Sequence, residues 1–288
     1  MPGPPKIFDR PTVRRHRDRA AAGLAAYDFL LREVAERLAD CLLDFKRGFP
    51  LALDLGCHGG QLAGVLAGRG GIERLVQCDL SPAMVGLVSP PRLVADEEAL
   101  PFAPAQFDLI LSVLSLHWVN DLPGTLSQIR RCLKPDGLFL AAIPGGGTLD
   151  ELRQALLAAE MAVLGGASPR VSPFVSAHDA AALMQRAGFA LPVVDTDRIV
   201  LSYKDPFAMM AELRGLGEGN AVAERSRRFT PRAVIEAAAH NYHRDHGEGN
   251  GRIPATFQII TLTGWAPHES QQKPLTRGSG HRPLSDAF

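Results

Sequence analysis

The 288-residue chain has no excess of either charge, with 31 Lys+Arg against 31 Asp+Glu. That balance argues against a dedicated nucleic-acid binder, whose footprint is normally strongly basic. Cysteine is scarce. Cys41, Cys57, Cys78 and Cys132 never form a C-x-x-C pair, so neither a zinc site nor a disulfide framework is suggested and a reducing compartment fits. No apolar run reaches the roughly 18 residues of a membrane span; the longest candidate, 109–119, is broken by Ser112, Ser115 and His117. The basic start, MPGPPKIFDRPTVRRHRDR, is followed by no apolar segment of the secretory type. A cytoplasmic location is therefore expected. With 46% hydrophobic and 22% charged residues the chain is not a disordered one, and its length suffices for a large α/β core.

Short apolar runs alternate with helical patterns. Residues 51–55, 74–78, 92–95, 107–113 and 138–143 read as buried strands, the rhythm of a parallel sheet covered on both faces. Ser81-Pro82, Asp121 with Pro123, and Thr148 with Glu151 read as helix starts, the last as a capping box. Lys134-Pro135-Asp136-Gly137 reads as a turn into the fifth strand. Ahead of the sheet, Leu30, Leu31, Val34, Leu38, Leu42 and Phe45 form one helical stripe. Beyond it, helices are expected at 149–165, 177–187, 206–216 and 231–246, and two runs, 193–203 and 255–264, as an antiparallel pair closing a seven-stranded, mostly parallel α/β sheet. The expected organisation is a basic segment and helix (1–48), a ligand-binding core (49–145), helical cap elements (146–190 and 204–253), the closing strands (191–203 and 254–265) and a polar tail (266–288).

LALDLGCHGGQL places Asp54, Gly56, Gly59 and Gly60 between the first strand and a helix, where doubly wound sheets bind ligands. The nicotinamide fingerprint fails, because His58 and Gln61 stand where glycines are needed. D-x-G followed by a later glycine fits the strand-end loop of S-adenosyl-L-methionine-dependent methyltransferases. Asp54, Asp79, and Asp96 with Glu97 end successive strands; such acidity suits a sulfonium and an ammonium and would repel a pyrophosphate. Asp79 is positioned to accept from both ribose hydroxyls and Asp96 to receive the adenine amino group. Ser112 ends the fourth strand. Just beyond it, His117 reads as a base for a protonated nucleophile and Trp118 as a cover that excludes water. Both also read as packed loop residues. His58 reads as a partly exposed loop histidine. Arg14, Arg15, Arg17 and Arg19 read as a solvated helix face or, more sharply, as a patch for an acidic partner. His240, His243 and His246 do not read as a metal site, since helical geometry turns His243 and Asp245 about 200° apart.

Taken together, IFDR (7–10), YDFLLREVAERLAD (27–40), FPLALDLGC (49–57), SLHWVNDLP (115–123), GLGEGN (215–220), PATFQI (254–259), HESQ (268–271) and RGS (277–279) resemble the methyltransferase-like assembly factors of respiratory complex I. More distantly they resemble the malonyl-carrier-protein methyltransferase of biotin synthesis. The resemblance implies the class I methyltransferase fold with a helical cap, and S-adenosyl-L-methionine held by Asp54, Gly56, Gly60, Asp79 and Asp96. It further implies action on a protein, namely hydroxylation of an arginine in a complex I subunit. For location it implies peripheral association with the inner membrane, and the mitochondrial matrix for eukaryotic members. Two alternatives stay open: a conventional methyltransferase on a small acid or carrier-bound acyl group, and a non-catalytic chaperone that binds the cofactor.

Overall fold

A computed structural model describes residues 6–272; the RGS motif lies outside them. Along the chain run α1 (Arg10–Ala20), α2 (Phe29–Leu42), β1 (Phe49–Leu55), α3 (Gln61–Leu66), β2 (Ile72–Asp79), α4 (Pro82–Leu87), β3 (Arg92–Val94), β4 (Phe107–Val113), α5 (Leu122–Cys132) and β5 (Leu133–Pro144). They are followed by α6 (Asp150–Leu164), α7 (Ala177–Arg186), β6 (Ala190–Tyr203), α8 (Pro206–Gly215), α9 (Arg232–His246) and β7 (Ile253–Trp265). A single seven-stranded sheet has the order β3-β2-β1-β4-β5-β7-β6. β1 to β5 are parallel, while β7 runs antiparallel to both β5 and β6.

Alternation along the strands builds two cores. Ala52, Leu109, Leu111, Leu138 and Leu140 face the buried stripe of α2, with Leu30, Leu31, Val34, Leu38 and Leu42. The intervening residues, Leu53, Ile110, Phe139, Ala141 and Ile143, face Leu126 and Ile129 of α5 and Ala180 and Met184 of α7. Each fully buried leucine or phenylalanine contributes about 1.5–3 kcal/mol, so both faces of the parallel strands must be covered.

Local signals mostly act where the sequence puts them. Ser81 Oγ accepts from Met84 N–H at 3.1 Å and Asp121 Oδ1 from Gly124 N–H at 2.8 Å, capping α4 and α5. The capping box at Thr148 does not form. Thr148 Oγ1 donates to the Gln258 carbonyl instead, and Glu151 accepts from Thr256 Oγ1, so both side chains tie α6 to β7, and Leu149 enters the helix at φ +56°. The segment 134–137 is an irregularity within β5, with Asp136 at φ +60°. The larger correction concerns α1, because its arginines are not one solvated face: Arg10 and Arg17 are buried.

Candidate cofactor and substrate site

β1 ends with Leu55 beside Cys78 of β2, so the chain leaving β1 turns next to Asp79. Gly56 and Cys57 N–H both donate to the Cys78 carbonyl, at 2.8 and 2.9 Å. Gly56 has φ +76°, and a Cβ there would lie 2.0 Å from Ser115 Oγ; at Gly60, φ +84°, it would lie 2.9 Å from Val88. Close packing against this chain's own side chains thus demands both glycines. His58 takes φ +48°, which costs a non-glycine residue roughly 1–2 kcal/mol. Contrary to expectation it is buried. Its N–H donates to Asp79 Oδ2 at 3.1 Å, and its Nε2 lies 3.1 Å from the Val113 carbonyl, so Nε2 is the donor. Burial, then Arg17, lowers the imidazole pKa and keeps the ring neutral.

Asp54 departs from the expected row of carboxylates. It is fully buried and neither of its oxygens has a partner. Burial, followed by repulsion from Asp79, pushes its pKa up to about 8, so it is protonated at neutral pH. The folded pKa lies above the unfolded value of 3.8, so the folded state binds the extra proton and stability falls as pH rises between the two. Asp54→Asn is expected to remove that slope, its melting temperature gaining on the parent from pH 5 to pH 8. Thermal unfolding across this range checks it; a constant difference contradicts a neutral Asp54.

The remaining carboxylates are engaged by α1. Arg17 Nη1 reaches Asp79 Oδ1 and Oδ2 at 3.2 and 3.1 Å and Glu97 Oε1 at 3.1 Å, while Nη2 donates to Ser115 Oγ at 2.9 Å. Ser115 Oγ donates in turn to Glu97 Oε1 at 2.8 Å. Arg10 pairs with Glu97 and, at 2.6 Å, with Asp96, and donates to the Trp118 carbonyl at 3.3 Å. Burial opposes the charge on Arg17, but Asp79 and Glu97 more than offset it and raise its pKa. Burial likewise opposes ionisation of Glu97, yet Arg17 and Arg10 hold its pKa below the ordinary range. Ser112, expected at the ligand, is buried and donates its hydroxyl to the Leu55 carbonyl at 2.7 Å, so it stitches β4 to β1.

His117 and Trp118 lie together on the turn after β4 and meet a residue the sequence did not single out. His117 Nε2 and Trp118 Nε1 each donate to Glu218 Oε2 at 2.9 Å. With Nε2 committed to a carboxylate, Nδ1 is the ring nitrogen of His117 left without a partner. Burial opposes the Glu218 charge, but His117 and Arg17 hold its pKa below the ordinary range. The three residues line a narrow cavity of about 90 Å³ whose walls include Leu31, Leu114, Leu152, Phe174 and Phe257. Arg170 also lines it, yet its guanidinium is committed to Glu160 and Thr230. Glu218 is the carboxylate in this wall, and among the described residues no lysine or arginine pairs with it directly. On α9, Asp245 pairs with Arg244 at 2.7 Å.

The donor set at the ends of β1 to β3 suits S-adenosyl-L-methionine, the cofactor of this fold. Asp54 has two unpartnered oxygens, and a positive charge brought beside it would restore its ionisation. Asp79 and Glu97 are held at neighbouring strand ends, where in this structure they hold a guanidinium instead.

Comparison with known proteins agrees with this architecture. Residues 53–141 match the family model described as methyltransferase domain. The fold resembles that of Haemonchus contortus phosphoethanolamine N-methyltransferase 2 in complex with S-adenosyl-L-methionine, with a TM-score of 0.54 at 17% identity over 89% of this chain and 60% of that one. The malonyl-[acyl-carrier protein] O-methyltransferase of Laribacter hongkongensis is 35% identical over 94% of each chain. The mitochondrial arginine-hydroxylase NDUFAF5 of Danio rerio is 42% identical over 97% of this chain and 89% of that one. A likeness of that strength, running through both chains almost end to end, means that the chain belongs to the arginine-hydroxylase NDUFAF5 family, enzymes built on the class I S-adenosyl-L-methionine-dependent methyltransferase fold.

Proposed function

We propose that the protein modifies an arginine of another protein, a respiratory complex I subunit, by hydroxylation, with the cavity beneath His117 and Trp118 as the substrate site. The observation that carries this reading is the charge of the cavity. An apolar wall with one carboxylate, Glu218, that no lysine or arginine neutralises complements a long aliphatic stem ending in a guanidinium, and such pairs in a dry site are strong. A carrier-bound malonyl group, the alternative suggested by the 35% identical relative, would need a free cation, and Arg170 is already neutralised by Glu160.

In this reading Glu218 orients the guanidinium, His117 Nδ1 accepts a hydrogen bond from it, and Trp118 with the surrounding leucines excludes water; the oxygen atom and the two-electron oxidation come from a co-substrate of the dioxygen class with an electron donor, not from the methyl group. S-adenosyl-L-methionine, when bound, supplies a cationic sulfonium and an electrophilic methyl group; Asp54, Asp79, Asp96 and Glu97 would hold it, with Gly56 and Gly60 shaping the loop. No helix among the described residues is long and apolar enough to cross a membrane, and the similar arginine hydroxylases are mitochondrial. For this chain we infer work at the membrane-attached complex, from the cytoplasm if it is bacterial and from the mitochondrial matrix if it is eukaryotic. Intact mass spectrometry of complex I subunits from cells with and without the protein is the test. The expected difference is one oxygen atom on one subunit; a difference of one CH2 group would mean methyl transfer, and none would point to the non-catalytic alternative.

A further inference from the structure

The N-terminal helix does something that neither the fold nor the relatives' names account for. Arg17 is fully buried and makes four hydrogen bonds to Asp79, Glu97 and Ser115, the residues at the ends of β2, β3 and β4. The turn after α1 continues the cover: Leu24 lies where a Cβ on Gly59 would meet it at 2.8 Å. Asp54, Gly56 and Asp79 are buried, and none of them lines the cavity beneath His117 and Trp118. The glycine loop is closed by this chain itself.

We propose that α1 is an intramolecular competitor for the cofactor cradle: the Arg17 guanidinium takes the places on Asp79, Glu97 and Ser115 that S-adenosyl-L-methionine requires, and the cofactor binds when α1 lifts away. The proposal rests on reading these strand ends as the cofactor site. The electrostatics permit the exchange. Lifting Arg17 alone would leave buried carboxylates unpaired, but the cofactor brings its own positive charges and its ribose hydroxyls, so the carboxylates trade one set of partners for another. The fastening ahead of α1 is also identifiable. Ahead of α1, Phe8 stacks edge-on against Trp118 at 5.3 Å, Asp9 N–H donates to the Ala221 carbonyl at 2.8 Å, and Asp9 pairs with Arg225 at 3.1 Å. One latch therefore spans the cradle, through Arg17, and the wall of the substrate cavity, through Trp118. Cofactor entry would loosen Trp118 and Glu218 at the same time.

Two measurements test this. Hydrogen exchange on the full chain with and without S-adenosyl-L-methionine should show amides of residues 10–20 losing protection when the cofactor binds. Calorimetry should show Arg17→Ala binding it about 10-fold more tightly or better, since affinity scales with the fraction of molecules whose cradle is open. Phe8→Ala, which weakens the latch away from the cradle, should shift affinity the same way and keeps the test alive if Arg17→Ala folds poorly. Unchanged or added protection over 10–20, or equal or weaker binding by the variants, overturns the role of α1. If parent and variants all fail to bind the cofactor, the cradle assignment itself falls along with the proposal, whereas equal binding by all overturns only the competition.

Discussion

Glu97→Ala is expected to lower the unfolding free energy by about 3–5 kcal/mol, the usual result of removing one partner from a buried ion pair. Glu97 is fully buried and joins both Arg10 and Arg17. Without it Arg17 keeps Asp79 and Ser115, and Arg10 keeps the half-buried Asp96, a looser pair with Glu98 at 3.9 Å and the Trp118 carbonyl. The effect should depend on pH in a defined sense. The folded-state pKa of Glu97 is held below its ordinary 4.5 by the two arginines, so its contribution is complete above that value and disappears as pH falls through the folded pKa. Urea unfolding of parent and variant at pH 7 and at pH 3 checks both statements. A difference under about 1 kcal/mol at pH 7, in the range of an exposed ion pair, would mean that α1 does not bind the cradle as described.

Glu218→Gln is expected to weaken binding of an arginine-containing substrate peptide by about 2–3 kcal/mol, roughly 30- to 150-fold, the typical range for a charge-assisted hydrogen bond lost in a dry site. The substitution keeps an oxygen for His117 Nε2 and Trp118 Nε1, which both donate to Glu218 Oε2, so the wall of the cavity should survive. A peptide carrying norleucine in place of the arginine serves as the control and should bind parent and variant alike. If the variant loses no affinity for the arginine peptide, Glu218 does not recognise the guanidinium, and the charge of the cavity ceases to favour arginine over a carboxylate.

Most of the sheet was legible because its determinants are local. Each parallel strand is an apolar run bounded by turn residues, and Ser81 and Asp121 announce their helices. The antiparallel pair β6 and β7 was legible for the same reason. Thr148 and Glu151 misled because a capping box and a pair of tertiary hydrogen bonds use the same side chains; β7, about a hundred residues later, decides between them. The site was less legible. Arg10, Val13, Arg17 and Ala20 fall at i, i+3, i+7 and i+10, the spacing of a buried helical stripe, and all four are buried. Two of the four are arginines, so hydropathy places that face in water; only the carboxylates at the far strand ends reverse the assignment. Nor does composition show that Asp54 is neutral, since that depends on burial and on Asp79. Glu218 sits in GLGEGN, a stretch noticed only for its resemblance, and its partners His117 and Trp118 lie a hundred residues earlier in the chain.

The clasp between Asp9 and Ala221 also sets an order of assembly. The cradle is made by residues 54–115, which pair with one another early in synthesis, while the first described residues must wait for Ala221, Val222 and Arg225 to emerge before they can be fastened. Such a distant contact forms slowly because the long intervening loop must close first. During translation the strand ends therefore emerge before their cover can be fastened, and α1 is made ahead of the cradle but fixed over it only after Arg225 has emerged.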